Sequence, residues 1–123
     1  MYQKFQSLTK EERLYIVASI FFFAGFAPET FSDSDMWLLT NVMDLSEDEI
    51  KEFKVPDYES MMSHIRENDD KDIQNWIITN TYKYVLRSNR NDARLAFQTF
   101  VDDLNWDQNL IRKSIEICED LNS

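Results

Sequence analysis

Leu14-Tyr15-Ile16-Val17-Ala18-Ser19-Ile20-Phe21-Phe22-Phe23-Ala24-Gly25-Phe26-Ala27 is the stretch on which the fold turns. At 3.6 residues per turn, a nearly unbroken apolar run leaves a helix no polar face for water. As a helix it spans about 21 Å at 1.5 Å per residue, short of the roughly 30 Å hydrocarbon core of a bilayer. It therefore reads as a buried core helix. Each Leu, Ile, Val or Phe side chain fully buried contributes about 1.5 to 3 kcal/mol before entropy is subtracted. Exposing the whole run would exceed the roughly 5 to 15 kcal/mol net stability of a domain.

Upstream, Thr9-Lys10-Glu11-Glu12 is a capping box that starts this helix, and Gly25 with Pro28 ends it. Tyr2, Phe5 and Leu8 are expected to fold against it. Asp33 and Asp35 precede Met36, Trp37, Leu39, Val42 and Met43 at helical spacing, which predicts a second helix over 33–44. Ser46-Glu47-Asp48-Glu49 is another capping box, opening a short helix with Ile50 and Phe53 that Pro56 ends. Asp57 caps a helix with Tyr58, Met61, Met62 and Ile65 on one face. A long, largely buried helix comes next, from Asp70 or Lys71 to Arg87. Asn91 or Asp92 then caps a helix with Ala93, Ala96, Phe97, Phe100, Val101 and Leu104 as its stripe. Asn105-Trp106-Asp107-Gln108 resembles a further box, ahead of Leu110, Ile111, Ile115, Cys118 and Leu121.

One Gly and two Pro in 123 residues disfavour a turn-rich sheet fold. The expected architecture is a single all-α domain over 1–123, a compact bundle of six or seven helices around two long apolar ones, 14–27 and 73–86. A two-fold internal repeat is expected at an offset of 59 residues, which aligns Thr40, Val42, Asp44, Leu45 and Asp48 with Thr99, Val101, Asp103, Leu104 and Asp107.

This arrangement resembles the tellurite-resistance TerB-like domains, helical proteins with two related halves. The resemblance runs from Glu11 to Leu121 and rests on the apolar helix ending at Ala24-Gly25 and on Leu45-Ser46 closing the next helix. It implies a stress-associated domain that binds metal or a membrane-associated partner. The Asp that precedes the glycine in that family is absent, Asp33 or Asp35 approximates its Glu, and Arg90-Asn91-Asp92 stands at the second turn. The family's acidic metal-binding residues are therefore not carried over.

The net charge of -10 lies in the middle of the chain. Residues 29–72 hold 14 acidic and 4 basic side chains, whereas 1–28 and 73–123 carry +1 and -1. Such a field repels phosphates and anionic lipid and attracts basic partners, which disfavours direct nucleic-acid binding through this surface. Cys118 is the single cysteine, so an internal disulfide is excluded; with no signal peptide legible at Met1-Tyr2-Gln3-Lys4, a reducing cytoplasm is expected.

Catalysis by Cys118 or an activated serine would need His64, the one histidine. Cys118 lies on an apolar stripe as a small hydrophobe. The acidic clusters fail the calcium-loop pattern, since Asp33-Ser34-Asp35-Met36-Trp37-Leu38 lacks a fifth-position oxygen and a sixth-position glycine. They fit helix starts instead. No metal and no cofactor is expected. Lys83, Arg87, Arg90 and Arg94 are spaced for a phosphate site, but a turn falls between them.

The expected function is non-enzymatic: an acidic protein-binding module, an inhibitor or nucleic-acid mimic that neutralises a basic, nucleic-acid-acting or toxin partner. Its partner-binding residues are Asp33, Asp35, Glu47, Asp48, Glu49, Glu52, Glu59, Asp69 and Asp70, with Trp37 and Tyr58 as aromatic anchors.

Overall fold

The computed structural model describes residues 5–24, 33, 37–52, 57–87 and 92–121, which form helices and their connecting turns with no strand among them. In chain order the elements are α1 (Lys10–Ala24), a π-helical segment (Leu38–Val42), α2 (Glu47–Glu52), α3 (Tyr58–Arg66), α4 (Lys71–Arg87), α5 (Ala93–Leu104) and α6 (Gln108–Leu121). The all-α bundle read from the sequence is the observed fold class. No helix among the described residues is long and apolar enough to cross a membrane.

Local chemistry sets the helix starts. Before α1, the Thr9 N–H donates to Glu12 Oε1 at 3.0 Å and the Glu12 N–H to Thr9 Oγ1 at 3.1 Å. Before α2, Ser46 and Glu49 repeat the exchange at 3.2 and 3.1 Å. Each box satisfies two of the donors a helix start leaves orphaned. Asp57 Oδ1 accepts the Ser60 N–H at 2.9 Å ahead of α3, and Asp70 Oδ1 accepts the Asp72 and Ile73 N–H groups ahead of α4.

Packing then assembles the starts into a bundle. α1 lies against α3, α4 and α5, α4 against α5 and α6, and α3 against α5. Ile16, Val17 and Ala18 of α1 and Ile73, Ile77 and Ile78 of α4 are buried in one core with Met61, Met62, Phe97, Phe100 and Leu104. α4 is not apolar on every side. Lys71, Asp72, Asn75 and Lys83 are exposed along it. Phe5 is fully buried and meets Trp76 of α4 edge to face at 4.8 Å, so this part of the leader docks on α4.

Two expectations change. The predicted α-helix over 33–44 is π-helical at 38–42 and closes with Asp44 at φ 54. The Leu45 N–H then reaches back to the Leu39 carbonyl at 3.3 Å, and both side chains are buried. This is a left-handed cap with its apolar contact, one residue wider because the turn is π. Asn105 does not open α6: it ends α5 in the left-handed region at φ 56, and Asp107 Oδ1 caps α6 by accepting the Asn109 N–H at 2.8 Å.

These caps locate a different spacing from the expected 59. Thr9 and Asp70, Asp44 and Asn105, and Ser46 and Asp107 are each 61 positions apart. The buried pairs Ile16/Ile77, Val17/Ile78, Leu39/Phe100, Met43/Leu104, Leu45/Trp106 and Ile50/Ile111 share that spacing. The readings that rest on Tyr2, Gly25, Pro28, Met36, Phe53, Pro56, Arg90 and Asn91 lie outside the described residues.

Candidate functional site: an acidic cleft and its surroundings

Charge in the middle of the chain is partly consumed by the fold. Lys10 Nζ meets Glu49 Oε2 at 2.7 Å, joining the first turns of α1 and α2. The Lys10 contact and the Ser46 hydrogen bonds hold the Glu49 carboxyl down at about 2. Glu49 thus holds a helix start and an ion pair between two elements. Asp70 is likewise committed as a cap. The Ser60 N–H holds the Asp57 carboxyl below its usual range.

Tyr58 is half-buried against the core, and its hydroxyl donates to Asp103 Oδ2 at 2.5 Å. Burial, then the Asp103 carboxylate, push that phenol up. Arg66 Nε donates to the Asp103 carbonyl at 2.9 Å, so Tyr58 and Arg66 together clasp α3 to the end of α5. Glu59 is exposed beside Tyr58. Of the two expected anchors only Trp37 is outward, 62% exposed, and Asp33 is exposed in the same segment. Asp35 lies outside the described residues. Asp48, Glu52 and Asp69 are not buried and make no hydrogen bond or ion pair through their carboxylates among the described residues.

A cleft of about 410 Å³ opens where α1 begins, α3 ends and α4 begins. Leu8, Ile16, Ile65, Ile73 and Ile77 form its apolar lining, and Glu12, Glu67, Asp69 and Asp70 supply carboxylates. The described residues that line it include no lysine or arginine. His64 lines it, with its ring stacked on Tyr15 at 3.9 Å and Nδ1 held 2.8 Å from the Ser60 carbonyl. Among the lining residues, Ser7/Asn68, Leu8/Asp69, Glu12/Ile73 and Ile16/Ile77 are also 61 positions apart. Sequence reasoning singles out Asp69 and Asp70 but not Glu12 or Glu67. Glu12 lies 57 positions from Asp69, and its one local signal is the capping box.

The remaining reactive groups are occupied structurally. Cys118 is buried with Sγ donating to the Thr79 carbonyl at 3.1 Å, and burial pushes its thiol up, away from the thiolate a nucleophile needs. The Tyr82 hydroxyl donates to Glu119 Oε1 at 2.6 Å and receives Arg94 Nη1 at 3.5 Å, which binds α4, α5 and α6 together. Arg94 of the basic quartet is thus turned to this network. The described residues contain no group of three or more His, Cys, Asp or Glu placed to hold a metal ion. Comparison of the chain with protein-family models, with curated proteins and with solved structures finds no match.

Proposed function

We propose that the protein is a non-enzymatic binding module that takes a basic protein partner on its acidic exterior, with Trp37 as the apolar anchor. The observation that carries this reading is Trp37, exposed over 62% of its surface inside the segment that holds the entire net charge. A large exposed aromatic costs solubility, and binding hot spots are enriched in tryptophan. Asp48, Glu52 and Asp69, whose carboxylates carry no internal partner among the described residues, supply the steering field, while Glu49 and Asp70 hold the helix starts that present them. The partner class that fits this charge is a protein with a phosphate-binding surface, such as a nuclease, another DNA-acting enzyme or a basic toxin.

Affinity capture from the source cell, with mass spectrometry and reconstitution of the purified pair, tests the reading. The retained protein is expected to be basic and to release as salt rises. Asp48→Lys with Glu52→Lys should weaken the pair mainly through association rate. Trp37→Ala should cost about 2 kcal/mol. Binding that ignores both salt and these substitutions overturns it.

A further inference from the structure

We infer that the cleft between the starts of α1 and α4 receives an arginine side chain of the basic partner, an inference that rests on the reading above and assigns it a contact point. The cleft joins two features that an arginine needs together. Its aliphatic lining, Leu8, Ile16, Ile65, Ile73 and Ile77, suits the three-carbon stem. Its carboxylates suit the head group, and the described residues that line it include no lysine or arginine.

The four carboxylates divide by use. Glu12 Oε1 accepts the Thr9 N–H, and Asp70 Oδ1 accepts two N–H groups of α4. Glu67 and Asp69 have no hydrogen bond or ion pair on their carboxylates among the described residues. A planar guanidinium offers five donors in a fixed fork and can address both at once, which a compact ammonium cannot match. The volume, about 410 Å³, lies within the roughly 300 to 1,000 Å³ of ordinary ligand sites. His64 is held in place by Tyr15 and Ser60 and gives the wall a fixed edge.

The test uses the full chain, isotope-labelled, titrated with acetyl-Gly-Arg-Gly-amide and followed by NMR. The His64 ring signals are unique in this chain and report from inside the cleft. Saturable shifts are expected at His64, Leu8 and Asp69, with the lysine peptide binding more weakly and the isosteric, uncharged citrulline peptide giving none. Glu67→Gln with Asp69→Asn, which leaves both helix caps intact, should weaken the arginine peptide about tenfold or more. Equal binding of the citrulline peptide, or an unchanged affinity in the double variant, overturns the inference. Shifts confined to Asp48 and Glu52 overturn it while leaving the acidic-surface reading standing. A purified basic partner that binds the double variant as tightly as the parent chain does the same.

Discussion

Glu49 shows what a single residue does here. It closes the Ser46 box and pairs with Lys10, and its carboxyl is lowered from 4.5 to about 2. A carboxyl held lower in the folded than in the unfolded chain contributes stability above pH 4.5, and that contribution disappears as pH falls toward 2. Urea unfolding across this range should therefore show a shallower loss of stability on acidification in Glu49→Gln than in the parent chain. Added salt should reduce the difference, because the Lys10 contact is at the surface. Thr9→Ala and Ser46→Ala should each cost about 1 kcal/mol, read from denaturation midpoints, since each removes a cap. Arg13 is a different case. It is buried, its Nε has no partner among the described residues, and the carboxylate it pairs with, Asp44, is 3.7 Å away and exposed. Replacing a buried ion pair by apolar residues is often neutral or stabilising, and here the partner left behind, Asp44, is exposed to water, so removing the cation strands no buried charge. Arg13→Met should hold or raise the melting temperature, and a fall of several degrees would show that the Asp44 pair is worth more than its geometry implies.

Among the described elements, Asp44 and Asn105 control how the chain leaves the π-helical segment and α5. Asp44 and Asn105 occupy φ 54 and 56, a region that costs an ordinary L-residue about 1 to 2 kcal/mol and glycine very little. Asn105→Gly should be neutral or stabilising and Asn105→Ala destabilising by about 1 kcal/mol in thermal melts. The cap also sets the direction of its successor: Trp106 turns inward, 8% exposed, with its Nε1–H donating to the Arg66 carbonyl at 3.5 Å. Asn105 reads as an opening residue in the sequence for a physical reason. Asn is favoured both at helix starts and in the left-handed position that ends them, and only the backbone angle distinguishes the two.

For the whole molecule, stability resides in the contact of α1 and α4 with the helices around them. Ile77 and Phe100 are fully buried, so truncation to alanine should cost about 2 to 5 kcal/mol each, against a total of roughly 5 to 15 for a domain. Leu95→Ala, at a position 72% exposed, should move the unfolding free energy by less than about 0.5 kcal/mol and serves as the control. Self-repulsion from a net charge of -10 should make the melting temperature rise with sodium chloride before specific effects level off.

Most helix starts, which depend on near neighbours, were determined by the sequence alone. Thr9 with Glu12, Ser46 with Glu49 and Asp57 with Ser60 interact across three residues, so helix starts and the inward stripes of α3, α5 and α6 are legible from spacing and side-chain chemistry. Tertiary structure decided which charges remain for a partner. Lys10 reaches Glu49, Tyr58 reaches Asp103, and Glu12 and Glu67 join Asp69 and Asp70 around one cleft. Except for Glu67, a near neighbour of Asp69, those groups are brought together from distant parts of the chain, and the meeting of Glu12 with the others is set by the packing of α1 on α3 and α4. That packing is driven by apolar burial, which is nondirectional and insensitive to where the surface carboxylates fall.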